Sequence, residues 1–154
     1  MIIPKISVEK ARKLNQRAIR DGRCTVCQGS VAQMGFTDAS FDVVTAFETV
    51  YFWQDLPKCF QEVYRVLKPG GTFLICNESN GDTNKDKKWT DIIGGMTIYK
   101  DTELKAYLEQ AGFNDIQIHK TKKLAVCDGE KNTINTEKAL LADEHLRVWG
   151  DTGG

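Results

Sequence analysis

The chain has 154 residues and a formal net charge of zero, 21 Lys plus Arg against 21 Asp plus Glu, with 41% hydrophobic and 27% charged residues. That length suits one domain with one sizeable core. The charge balance argues against a basic nucleic-acid binder or a polybasic membrane clamp, and the apolar content argues against disorder. No apolar run reaches the roughly 18–20 residues that a membrane span needs. The opening Met1-Ile-Ile-Pro-Lys-Ile6 is too short for a signal peptide, so a soluble cytoplasmic domain is expected, with neither membrane nor nucleic acid as partner.

In chain order, Ser7 can cap a helix over 8–21, with Val8, Ala11, Leu14, Ala18 and Ile19 on one face and Gly22 at its stop. Cys24–Gln28 reads as a short strand and 29–40 as a loop. Phe41–Phe47 is apolar on both faces, which suits a strand in the middle of a parallel sheet. Asp55 caps a helix to Leu67, with Pro57 in its first turn, and Lys68-Pro-Gly-Gly71 stops it with a tight turn. Thr72–Cys76 is a second doubly buried strand, expected beside 41–47 and parallel to it.

Residues 77–100 form a long polar connection with one short amphipathic piece at 89–93. Asp101 or Thr102 caps a helix ending at Gly112, and Phe113–His119 pairs as a hairpin with Leu124–Cys127. A last amphipathic helix is expected over 136–149, stopped by Gly150. Helices alternating with strands argue an α/β fold, a doubly wound and mostly parallel sheet.

The charge is unevenly spread. Residues 1–28 hold seven Lys/Arg against two acids, and 29–57 hold four acids and no base. The five cysteines, an odd number with one Cys24-Thr-Val-Cys27 pair, read as reduced thiols and not as metal ligands, because no second Cys or His pair follows.

In open α/β sheets ligands bind beyond the carboxyl ends of the strands, here Gly29–Val31, Ala46–Thr49 and Asn77–Ser79. Glu48 is a candidate general base and Tyr51 a second catalytic candidate. The stretches Phe36-Thr-Asp-Ala-Ser-Phe-Asp-Val-Val44, Thr45–Trp53 and Arg65-Val-Leu-Lys-Pro-Gly-Gly71 resemble the class I S-adenosylmethionine-dependent methyltransferases of the small-molecule, UbiE-like (type 11) group. The resemblance spans roughly residues 7–127. It implies a Rossmann-like fold, S-adenosylmethionine as cofactor and a small-molecule methyl acceptor. By position, it places Ser30 and Val31 at the adenine edge and Ala46 and Phe47 along the methionine part. It places Tyr51 and Trp53 in the segment closing over the sulfonium, whose charge aromatic faces attract.

The resemblance also implies a glycine-rich loop and a ribose-binding acid before residue 7, and no Gly-x-Gly occurs in the sequence. The expectation is therefore a fold truncated at its N-terminus: a partial methyltransferase-like domain over 1–127 and a tail over 128–154. The cofactor should bind weakly or not at all, and the bare edge of the 41–47 strand should drive homo-oligomer formation. Two function classes stay open, methyl transfer and a non-catalytic remnant serving as an interaction or assembly module.

Overall fold

The computed structural model describes residues 5–81, 84–120, 125–131 and 148–151. The first helical stretch divides into α1 (Lys5–Leu14) and α2 (Gln16–Arg20). Ser7 lies inside α1 and does not cap it. The division falls at Asn15, whose side-chain amide donates to the Ala11 carbonyl at 2.9 Å, the local competition that makes Asn a poor helix-interior residue. Gly22, at φ +73°, then turns the chain out of the helical hand.

β1 (Val26–Gly29) leads into the loop before β2 (Phe41–Phe47). A short 3-10 turn (Val50–Phe52) and α3 (Leu56–Val66) connect β2 to β3 (Leu67–Asn77). Asp55 caps α3 by accepting from the Lys58 N–H at 3.4 Å, with proline in the first turn. The buried face of α3 is Leu56, Cys59, Phe60, Val63 and Val66. It packs into an aromatic core in which the Phe60 and Phe73 rings sit 5.5 Å apart, Phe73 and Phe113 5.7 Å, and Tyr64 and Phe113 5.2 Å. Beyond β3 come α4 (Asn84–Ile92), α5 (Asp101–Ala111), β4 (Asn114–Lys120), β5 (Ala125–Glu130) and β6 (Val148–Asp151). The N-cap of α5 is Lys100, one residue earlier than expected, and Gly112 closes the helix at φ +101°.

The main sheet has the order β2-β3-β5-β4. β2 and β3 are neighbours and parallel, as expected, and β4 and β5 form the expected antiparallel hairpin, with β5 also antiparallel to β3. β5 continues to Glu130, past the boundary expected after residue 127. The chain is thus α/β, with two parallel and two antiparallel strand pairings among the described residues.

Two expectations change. β2 does not take the central place its composition suits but shows the bare edge expected of the truncated fold: among the described residues no strand pairs with its far side, and only Ala46 of its side chains is buried. Its apolar run suits burial on both faces, but the sheet covers one edge only. The helix expected over 136–149 lies outside the described residues up to 147, and residues 148–149 belong to β6. β6 pairs parallel with β1, from Val26 opposite Val148 to Gly29 opposite Asp151, as a separate two-stranded sheet.

Candidate cofactor site

The carboxyl end of β1 runs into a turn at Ser30, whose hydroxyl accepts from the Ala32 N–H at 3.3 Å and whose carbonyl accepts from Gln33 at 3.1 Å. Val31 and Met34 then enter the core, at 3% and 7% exposure. Arg65 at the end of α3 holds the loop that follows. Its guanidinium donates to the Met34 and Phe36 carbonyls at 3.1 and 2.9 Å, to Asp38 at 2.5 Å and to Glu62 at 2.7 Å. Glu62 in turn accepts from the Met34 N–H at 2.7 Å. Arg65 holds the Glu62 carboxyl below its ordinary value of 4.5 against the opposing effect of burial. Lys68 pairs with Asp42 at 2.8 Å.

Two of the three stretches that carry the family resemblance therefore meet each other: Asp38 meets Arg65 and Asp42 meets Lys68. Their charged residues act as a clasp that sets the loop ahead of the strand ends.

At the end of β2, Ala46 is buried to 3% while Phe47 is 57% exposed. Glu48 follows at φ +54°, a left-handed backbone that a residue with a side chain adopts only when its surroundings impose it. Its N–H continues the ladder to the Cys76 carbonyl at 3.0 Å, and its carboxylate accepts from the Glu78 N–H at 2.6 Å. Burial pushes the Glu48 carboxyl above its ordinary value, while the Glu78 N–H pulls the other way.

Tyr51 is buried, its hydroxyl oxygen accepting from the Ser79 N–H at 2.8 Å. Its one proton has two acceptors, the Ser79 carbonyl at 3.1 Å and the Glu48 carboxylate. Burial drives the Tyr51 hydroxyl well above its ordinary range, so it stays protonated at any physiological pH. Glu48 and Tyr51 thus stitch the end of β2 to residues 78–79 after β3. The register explains the meeting, since Phe47 lies opposite Cys76.

The structure brings some of the sequence-derived residues together and separates others. Val31 and Ala46 share one apolar cluster, Ser30 stands at the turn beside it, and Phe47 faces outward at the next strand end. Trp53 lies in the same buried cluster as Val31 and Ala46. It is 7% exposed and stacked on Phe73 at 6.3 Å with the planes 7° apart, a core residue. Glu78 and Ser79 escaped the sequence reading as partners of Glu48 and Tyr51, although the shared strand-end register was the available signal. Lys131 gave no signal: its ammonium donates to the Tyr64 and Leu67 carbonyls at 2.8 and 2.9 Å and lies 4.5 Å over the Tyr64 ring.

A methyltransferase-domain family model matches residues 3–75, which span both strand ends and the clasp. Over these residues the chain resembles the S-adenosylmethionine-dependent methyltransferases. A cycloartenol-C-24-methyltransferase of Arabidopsis thaliana is 32% identical over 118 residues, covering 71% of this chain and 35% of the relative. A 24-methylenesterol C-methyltransferase 2 of Oryza sativa subsp. japonica is 40% identical over 72 residues, covering 47% and 20%. The chain thus spans about a fifth to a third of the length of these relatives.

Solved structures show the family fold. An S-adenosylmethionine-dependent methyltransferase of Thermotoga maritima, described as a possible histamine N-methyltransferase, aligns over 78% of this chain and 70% of its own at TM-score 0.64 and 18% identity. The [4+2]-cyclase SpnF aligns over 86% and 64% at TM-score 0.69 and 14% identity. One fold therefore carries more than one chemistry.

The residues present fit the cofactor in part. Ser30 offers a hydroxyl, Val31 and Ala46 an apolar floor, and Phe47 an exposed ring. Asn77 adds a side-chain carbonyl, buried to 4% residue exposure, with no hydrogen-bond partner among the described residues. Neither the turn after β1 nor the segment 46–48 presents a carboxylate free of other bonds for ribose hydroxyls, since Glu48 is already engaged.

Proposed function

We propose that this chain forms the adenine and methionine side of a methyltransferase site and that the methyl acceptor is a small molecule. The reading is supported by the strand ends at 30–31 and 46–47, where Val31 and Ala46 both belong to the buried core and Phe47 stands exposed. The cofactor, when bound, supplies an electrophilic methyl group on a sulfonium. The Ser30 hydroxyl can donate to the adenine edge, while Val31 and Ala46 exclude water beneath it. Phe47 offers its ring to the methionine chain and the cation. Tyr51, held protonated, fixes residue 79, and Glu48 is the group that can accept a proton from an acceptor hydroxyl or amine. Relatives named for sterols support an apolar acceptor.

Affinity follows from what this chain lacks. With no Gly-x-Gly in the sequence and no free acid at these strand ends, two to three charge-assisted hydrogen bonds are unmade, at about 1.5–3 kcal/mol each. A micromolar ligand has only about 8 kcal/mol of binding free energy. Calorimetric titration of the 154-residue chain with S-adenosylhomocysteine is therefore expected to give millimolar or undetectable affinity. A dissociation constant below about ten micromolar, weakened by Ser30→Ala or Phe47→Ala, would overturn the weak-binding part and retain the site.

Among the described residues the far edge of β2 has no strand partner, which supports a second reading, in which the chain is a non-catalytic assembly module whose open strand pairs with another copy in the cytoplasm. On either reading the methyltransferase-like unit runs to the end of β5 at Glu130, past the boundary at 127 expected from the sequence.

A further inference from the structure

Much of the basic excess of the first 28 residues lies exposed on α1 and α2. Within α1, Ile6, Lys10, Lys13 and Leu14 fall inside an arc of roughly 100° at the helical repeat and are all exposed. Val8 and Ala11, with Asn15, Ala18 and Ile19 after them, are half-buried on the opposite side, and α1 packs against β1. Arg12 turns inward, donating to the Val26 carbonyl at 3.2 Å.

In α2 the side chains of Arg17 and Arg20 are 87% and 78% exposed, and Arg23 follows. The acids nearby are Glu9, on the flank of α1, and Asp21, which lies 3.5–4.0 Å from Arg17, Arg20 and Arg23 and offsets one charge among the three. Two large hydrophobic side chains stand among these cations, Leu14 at 86% exposure and Ile6 at 56%.

We propose that the outer face of α1 and α2 docks on an anionic lipid surface. Zero net charge over the whole chain conceals this face, because the compensating acids lie elsewhere, in part over 29–57. The cations alone would suit any polyanion. The exposed Leu14 and Ile6 select among polyanions: a phosphate backbone gives an apolar tip nothing to enter, whereas a headgroup layer takes cations at its surface and apolar tips just below it.

Flotation of the full chain with vesicles tests this, comparing phosphatidylcholine alone with phosphatidylcholine containing a quarter phosphatidylserine, at low and high salt. Binding to the anionic vesicles is expected, falling with salt and absent on the neutral ones. Lys13→Glu with Arg17→Glu should lower partitioning by at least about 25-fold, from about fivefold per cation. Leu14→Ser should lower it by about tenfold while leaving the melting temperature unchanged. No binding to anionic vesicles, or equal binding to neutral ones, overturns the proposal. A Leu14→Ser variant that binds as well as the parent also overturns it, pointing to a charge-only partner such as duplex DNA or the acidic segment of a second copy.

Discussion

Arg65 concentrates more interactions than any other side chain of the clasp: two loop carbonyls and two carboxylates converge on it. Lys68 holds only the exposed Asp42, and exposed pairs contribute little. Arg65→Met should therefore lower the thermal midpoint clearly more than Lys68→Met, which scanning calorimetry of the two variants checks. The clasp also sets a pH response. Glu62 is held below its ordinary value of 4.5 by Arg65, so it contributes stability that is present above that value and lost as pH falls through the depressed one. Denaturant midpoints measured downward from pH 6 should drop below about pH 4.5, and Glu62→Gln should remove that part of the drop. Glu48 works in the opposite sense. Its raised carboxyl favours the neutral form, so its contribution is present at low pH and lost as pH rises through the raised value. Glu48→Gln, which keeps an oxygen for the Glu78 N–H, should leave stability at pH 7 equal or higher. If Glu48 is the base, the same variant loses about a hundredfold in methyl transfer.

The βαβ unit of β2, α3 and β3 was legible in advance because each signal is local: a capping Asp55, an early Pro57, an apolar stripe, and two apolar runs of strand length. The entry into β3 was less so. Pro69-Gly70-Gly71 reads as a turn but belongs to β3, where the register slips between Phe41 opposite Leu67 and Val43 opposite Thr72. Gly71 is needed there for space, since a Cβ would come within 2.9 Å of the Lys68 carbonyl and 3.0 Å of the Asp42 carbonyl. Gly71→Ala should destabilise by about 1–3 kcal/mol in chemical denaturation, because both obstacles are backbone. Lys131, just past β5, caps the carboxyl end of α3, and Lys131→Met should cost about 1–2 kcal/mol by the same measurement. Neither the break at Asn15 nor this cap was readable from periodicity: one is an amide competing with its own backbone, the other joins residues far apart in sequence.

At the scale of the molecule, sheet order is the property that local pattern reports least. An apolar strand announces burial but not the number of its neighbours, and β2, with a central strand's composition, stands at an edge among the described residues. The pairing of β1 with β6 joins residues 26–29 to 148–151, a contact that no window of sequence contains. The strand ends proposed as the site were legible, because strand ends follow from strands, but the packing around them was not: Trp53 is core, and Tyr51 a stitch between two loops. The open edge of β2 predicts a dimer or larger species by light scattering at tens of micromolar, whereas a clean monomer would show the edge covered within the chain. The central claim is that the carboxyl ends of β1 and β2 together receive the cofactor. Backbone amide NMR of the labelled chain during addition of S-adenosylhomocysteine tests it most directly. Shifts confined to residues 30–32 and 46–49 at millimolar ligand are the predicted result; shifts elsewhere with these residues still, or none up to the solubility of the ligand, would contradict it.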